Sequence, residues 1–272
     1  MPLFNDGGFN GVPPPDAMLA CCAKMGGAES KLDLPKGTRL FRDSGVAVYH
    51  SNRWSVFFDV GEVSVPYQPA HAHADTLALE CSFEGARLFV DPGTFDYDDG
   101  MCRHYDRSTA AHNTVRVDGC NSSELWDIFR VGRRAMPIIV DYLADSEMHI
   151  RASHDGYSHL PGSPIHERRV TAGGSSSLTI VDTINGNGKH DLQGGWLLAP
   201  DWTATPAEKG WDLNRAGRTV HVRITTDAAL SLTIDGAVYH PEYGLEIRTS
   251  RLTWNWTGTL LFRITTIVTG SP

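Results

Sequence analysis

Apolar and polar residues alternate with a period of two along most of the chain, and Gly, Asn, Asp or Pro breaks the alternation at roughly eight-to-twelve-residue spacing. Successive side chains of an extended segment point to opposite faces, so such runs read as strands with one buried face. Segments 45–50, 54–60, 76–82, 86–91, 113–118, 136–142, 147–153, 166–172, 177–184, 192–199, 210–214, 219–224, 229–234, 245–249, 252–255 and 259–268 fit this description, being rich in β-branched and aromatic residues. About sixteen short strands with almost no helix predict an all-β fold, a large antiparallel β-sandwich. One segment departs from the pattern. After a Gly/Pro-rich stretch over 1–14, Pro15-Asp16 opens AMLACCAKMGG, which predicts a short N-terminal helix closed by Gly26-Gly27. It is the only convincing helix in the chain. The expected division is loop and helix over 1–32 and a sandwich over 33–272.

Composition narrows the class. The chain of 272 residues is 41% hydrophobic and 21% charged, as a globular protein is, and long enough for one large β domain or two ordinary ones. No apolar run reaches eighteen residues, so no membrane span is expected. The start, MPLFNDGGFNG, has neither the basic nor the apolar region of a signal peptide. It reads as cytoplasmic, or as a chain whose natural N-terminus lies further upstream. A net charge of −8 argues against nucleic acid as a partner, while a local basic patch could still meet an acidic saccharide. The five cysteines (Cys21, Cys22, Cys81, Cys102 and Cys120) form no CxxC pair and predict no disulfide framework, with Cys21 and Cys22 read as packed thiols.

The chemistry concentrates between His71 and His112. In HAHADTLALECSFEGARLFVDPGT, His71 and His73 would share one face of an extended chain, and Asp75 would continue it. Imidazoles so placed suit a metal. A three-residue loop with Gly85 in the left-handed position would pair Leu79 with Phe89 and Leu77 with Asp91, setting Asp91 on the histidine face. A two-residue loop at Glu84-Gly85 would put Asp91 on the other face. Leu77 lies roughly 13 Å past His73 at strand rise, so residues 72–76 must bend if Asp91 is to share an ion with His73. His112, at the mouth of the strand after RHYDRSTAA, offers a third donor. A His/Asp/His set with an open fourth position suits zinc, whereas calcium prefers six or more oxygens. Other metal and nucleotide motifs fail. The HxH is not followed by the glutamate of a cupin, His166-Glu167 lacks the second histidine of HExxH, and no GxSxG, P-loop or GxGxxG is present.

Four blocks occur in order over this region: HAHADTL, VDPGT, RSTAAHNTVRVDG and FRVGRRA. Together they resemble the C-terminal β-sandwich part of the heparinase II/III-like polysaccharide lyases. The resemblance implies a lyase that cleaves uronate-containing acidic polysaccharide by β-elimination, with an α/α toroid forming the other wall of the active site. It implies zinc held by His73, Asp91 and His112, and a substrate-facing His71. It also implies a periplasmic or secreted setting. PLFNDGG resembles the link out of the toroid and 15–27 its last helix, so residues 1–32 are expected to be its remnant. The partner is then a toroid half or a second copy of the chain, and the chain alone is expected to turn over weakly or not at all.

Tyr97, in DPGTFDYDDG, is a candidate catalytic group beside His71. Between 103 and 134 six arginines face four acids, and Arg107, Arg130, Arg133 and Arg134 are candidates for holding sulfate or carboxylate. Asn113 is expected to orient its neighbour. His154, His159, His190, His221 and His240 are expected at the surface, and Trp196, Trp202, Trp254 and Trp256 in the core or in turns. The alternative to a lyase is a non-catalytic sandwich that uses a metal structurally and binds glycan or a partner chain.

Overall fold

The computed structural model describes residues 2–11, 13–27, 35–65, 67–173 and 177–271. The fold is the expected all-β sandwich, with nineteen strands among the described residues. The first five are β1 (Gly37–Phe41), β2 (Val46–His50), β3 (Trp54–Asp59), β4 (Leu79–Phe83) and β5 (Ala86–Phe89), hydrogen-bonded in that order. Next come β6 (Val115–Val117) and a two-stranded ribbon of β7 (Leu125–Trp126) and β8 (Arg130–Val131). Then follow β9 (Pro137–Ala144), β10 (Met148–His154), β11 (Ile165–Ala172), β12 (Ser177–Asn185), β13 (Lys189–Leu197) and β14 (Thr203–Ala207). The last are β15 (Gly210–Arg215), β16 (Arg218–Thr225), β17 (Ser231–Glu242), β18 (Leu245–Thr259) and β19 (Phe262–Gly270).

An eight-stranded antiparallel sheet, in the order β14-β15-β16-β19-β12-β11-β10-β9, forms one layer. Its strands bury alternate residues, as in Met148, Ile150 and Ala152 of β10. The five-stranded sheet and a four-stranded sheet, β17-β18-β13-β6, form the other side and are laced together by Val90 N–H to Leu197 O (2.9 Å) and Ala199 N–H to Leu88 O (2.9 Å). One hydrophobic cluster joins all three sheets. Trp196 stacks on Phe89 at 4.9 Å within it. As expected, Trp196, Trp202 and Trp254 are core residues.

Several strands differ from their sequence expectation for physical reasons. Segments 245–249 and 252–255 are one long strand, β18. Gly236 and Pro241 interrupt the pattern of β17, which nevertheless continues to Glu242 through a register shift after Tyr239. Strand β14 carries Pro206, tolerated because it is the edge of its sheet. A second helix, α2 (Met101–Arg107), was not expected beside α1 (Pro15–Lys24). Its inward residues are Arg103, Asp106 and Arg107, so it has no apolar stripe to read. Helix α1 buries no residue, and Cys21 and Cys22 are exposed rather than packed. All five cysteines are free. Among the described residues no helix is long and apolar enough to cross a membrane.

Candidate metal centre and its surface

The hairpin that carries Asp91 reaches the expected face by an unexpected route. The turn is the two-residue one, Phe83 opposite Ala86, with Glu84 and Gly85 at φ +48° and +78°. Both residues must sit in the left-handed region for this turn to match strand twist. Alone it would send Asp91 the wrong way. A bulge at Leu88 restores the parity, since Ser82 pairs with Arg87 but Cys81 with Phe89. The pairings of Leu79 with Phe89 and Leu77 with Asp91 do not occur.

The required bend before β4 is present. Leu77 adopts φ +63°, and Ala78 N–H closes on Asp75 O at 2.7 Å. The same bend means that the histidines are not on an extended chain, because residues 69–71 form a single 3-10 turn. His73 points inward, fully buried, while the His71 side chain is 58% exposed. One ligand atom each from His73, Asp91 and His112 lies within 4.8 Å of the others, and all three residues are buried.

The hydrogen bonding of this group suits a cation. Nδ1 of His73 and Nε2 of His112 are buried with no hydrogen-bond partner. The opposite nitrogens are taken: Nε2 of His73 by Asp6 (2.8 Å) and Nδ1 of His112 by Asp91 (2.7 Å). A buried polar atom without a partner is costly, and an imidazole nitrogen whose other side is fixed by a carboxylate is a ready metal ligand. Burial opposes a charge on His112, yet Asp91 beside it raises its pKa above the usual imidazole value.

Asp6 and Arg103 are the functional residues that sequence reading passed over. Asp6 receives His73 on one oxygen and His71 Nδ1 on the other (2.8 Å), while Thr94 and Arg103 also donate to it. Burial alone would raise this carboxyl, but the hydrogen bonds of His73 and Arg103 outweigh it and hold it well below the usual carboxylate range. Asp6 lies sixty-five residues before His71, in a segment anchored by buried Leu3 and by Phe9 N–H to Pro241 O (2.8 Å). Nothing local in NDGG reveals that pairing.

Buried side chains clamp the loops around the centre. Asn113 donates from Nδ2 to Leu79 O and Val90 O (2.9 Å each) and accepts Leu197 N–H (2.7 Å), so it orients three strands and faces no solvent. Arg168 donates to Leu77 O and Asn113 O, on either side of the centre. Of the four candidate anion-binding arginines, Arg107 is turned inward. It is buried, and it donates to Ala72 O (3.1 Å), Asp127 O (2.7 Å) and Arg130 O (3.3 Å). Arg133 donates to Gly156 O (2.6 Å) and Arg134 to Val65 O (3.3 Å), and Arg130 is exposed.

Tyr97 stands beside His71, ring centroids 5.9 Å apart, with the Arg103 guanidinium 4.9 Å beneath its ring. Burial, then the charge of Asp6, raises its phenol above the usual value. Phe129 and Tyr243, each in ring contact with Tyr97, extend an exposed aromatic rim. The other histidines correct the expectation of surface placement: His154, His190 and His240 are buried. Each has a polar partner across the fold: His166, Asp118 and Asp106 respectively.

The comparisons with known proteins agree with this architecture. No curated protein matches the sequence. A structure of heparinase III superposes with a TM-score of 0.82 at 15% identity, over 99% of this chain and 44% of that one. The heparan sulfate lyase HepC from Pedobacter heparinus gives 0.78 at 15% identity, over 99% and 44%. The heparinase III BT4657 gene product gives 0.78 at 17%, over 99% and 43%. At such identities the likeness is one of fold, and the chain spans less than half the length of these proteins. The sequence profile described as "Heparinase II/III-like, C-terminal" matches residues 33–271. With nearly the whole sandwich matched, the chain belongs to the heparinase II/III-like C-terminal family.

Proposed function

We propose that this chain supplies the metal-bearing wall of a polysaccharide lyase active site, acting by β-elimination on a uronate-containing acidic polysaccharide. The observation that carries the reading is the shared Asp6 carboxylate, which ties a solvent-facing histidine, His71, to a buried donor set of His73, Asp91 and His112. Two imidazoles and a carboxylate suit zinc, which when bound supplies fixed positive charge beside the cleft and rigidity to the 71–75 loop.

β-Elimination removes the C5 proton of the uronate, breaks the C4–O4 bond, forms a C4–C5 double bond and protonates the departing oxygen. His71, with Nδ1 committed to Asp6, presents Nε2 to solvent as a proton acceptor. Tyr97 keeps its proton at neutral pH and stands next to His71, so it donates toward the leaving oxygen. The uronate carboxylate must be neutralised for C5–H to become acidic, and that group belongs to an α/α toroid forming the other wall. Residues 1–32 are read as the link from that toroid. Exposed Arg130 on the β7–β8 ribbon, with Arg133 and Arg134 shortly after it, meets the polymer's anionic groups, and Phe129 and Tyr243 offer apolar faces to its sugar rings. The relatives named as heparinase III and heparan sulfate lyase make heparan sulfate the first polymer to test, and an extracellular polymer implies a periplasmic or secreted setting.

The test joins the chain to a toroid half and follows unsaturated uronate by its absorbance. His71→Ala is expected to lose about 10²–10⁴ of the rate with its zinc retained. Unchanged activity would overturn the role of His71. A full rate from the chain without any toroid would overturn the two-wall reading.

A further inference from the structure

Among the described residues, a second group of metal-type donors uses none of the side chains of the first. Cys102 of α2, His240 of β17 and Glu246 of β18 each place one donor atom within 4.8 Å of the others. His240 is fully buried and rigidly held, with its N–H on Pro92 O (2.7 Å) and its own carbonyl accepting Thr94 N–H (3.2 Å).

Its ring is set as a metal-binding imidazole is set. Nδ1 faces Asp106 at 2.8 Å, and the other oxygen of Asp106 accepts Phe95 N–H at 2.9 Å. Asp106 therefore orients the ring through Nδ1 and leaves Nε2 turned toward Glu246. Nε2 is buried with no hydrogen-bond partner, and a Glu246 oxygen lies 3.5 Å from it. Two lone pairs facing one another repel unless something positive lies between them. Oδ1 of Asp96 is likewise buried and unpartnered. A proton on Nε2 would relieve only the His240–Glu246 contact. A divalent cation would engage His240, Glu246 and Cys102 at once and would draw the thiol into its thiolate form.

We propose that Cys102, His240 and Glu246 form a second zinc site, with Asp106 orienting the imidazole and a fourth coordination position open. Thiolate, imidazole and carboxylate are a donor set for zinc rather than for calcium or magnesium. Exposed Glu246 gives the ion its way in. Bound there, the ion staples α2 to the β17–β18 hairpin and stiffens the turn from Asp91 to Tyr97, whose Phe95 ring lies 5.2 Å from His240.

Cobalt tests this site separately from the first, because the His73, Asp91 and His112 set contains no sulfur and gives no thiolate-to-cobalt charge-transfer band. The full chain with Cys21→Ser and Cys22→Ser, which removes the exposed thiols, is titrated with Co²⁺. A near-ultraviolet charge-transfer band saturating at one equivalent is expected. It is expected to vanish in Cys102→Ser and His240→Ala and to persist in His73→Ala. Circular dichroism of Cys102→Ser, a one-atom change, verifies that the fold is kept. Absence of the band in the parent, or its persistence in Cys102→Ser, overturns the site. Neither result bears on the first centre.

Discussion

Arg103 grips Asp6 with both terminal guanidinium nitrogens, and the two side chains are only 0% and 4% exposed. That pair is what holds the Asp6 carboxylate under His71 and His73. Removing one member of a buried pair leaves the other charged and unpaired, so Asp6→Ala is expected to cost about 3–5 kcal/mol of stability. Asp6→Asn keeps the shape but loses the charge that strengthens His73 as a ligand. It is expected to weaken zinc binding about 10–100-fold, measured by competition with a chelator. Wild-type affinity in Asp6→Asn would mean that Asp6 does not act through His73.

The donor set itself is tested by removing it one residue at a time. His73→Ala, Asp91→Ala and His112→Ala are each expected to lose one equivalent of zinc by elemental analysis. His71→Ala is expected to keep it. The measurement is made in the Cys102→Ser background, so that the second donor group adds no zinc, and undiminished zinc in all three donor variants would reassign the centre.

A pH dependence follows from the buried pair His154 and His166. Gly156 N–H donates to His154 Nδ1 (3.1 Å), His154 Nε2 meets His166 Nδ1 (3.2 Å), and His166 Nε2 meets Asp182 (2.7 Å). That chain of donors closes only with both rings neutral. Burial lowers both histidines, His154 strongly, with the nearby Arg168 charge adding to the effect on His154. Burial would raise Asp182, but the Arg168 charge and His166 bring it down to about 2. The unfolded chain takes up protons on these histidines below about pH 6.5 while the folded chain does not. Stability is therefore full above that pH and falls below it, by up to about 1.4 kcal/mol per pH unit for each histidine. Denaturation midpoints across this range measure the slope. His154→Gln, which can still donate to His166, is expected to halve it, and an unaltered slope would exclude His154 as a source.

Gly93→Ala probes the DPGT turn. Gly93 has φ +75°, and an added Cβ would lie 1.9 Å from His240 O. Strain and overlap together are expected to cost roughly 2 kcal/mol or more, read as a lowered Tm. An unshifted Tm would show that the turn yields freely.

The periodicity carried most of the sandwich, because strands such as β10 and β11 expose one face and bury the other without exception. The local motifs likewise pointed to His73, Asp91 and His112, which the fold brings within 4.8 Å of one another. Asp91 reached its expected face through two errors that cancelled, a shorter turn and an unforeseen bulge at Leu88, since only the parity of the register decides the face. What stayed hidden depends on distant pairing. Asp6, His240 and the inward arginines of α2 look like surface residues until a partner across the fold is known. Polar residues facing inward also erase the stripe that would have announced α2. Arg107 belongs to the same group, since three backbone carbonyls, two of them in or beside the β7–β8 ribbon, take the guanidinium that seemed free for sulfate.

The strap from Leu3 to Phe9 gives the protein two different boundaries. The family profile begins at residue 33, but the electrostatic closure of the site begins at residue 6. A version trimmed to the homologous region would keep every proposed zinc ligand and both proposed catalytic side chains, yet Arg103 would be left without its counter-ion and His73 without its acceptor. The span that the family profile matches is thus shorter than the span that closes the site, and Asp6 is the difference between them.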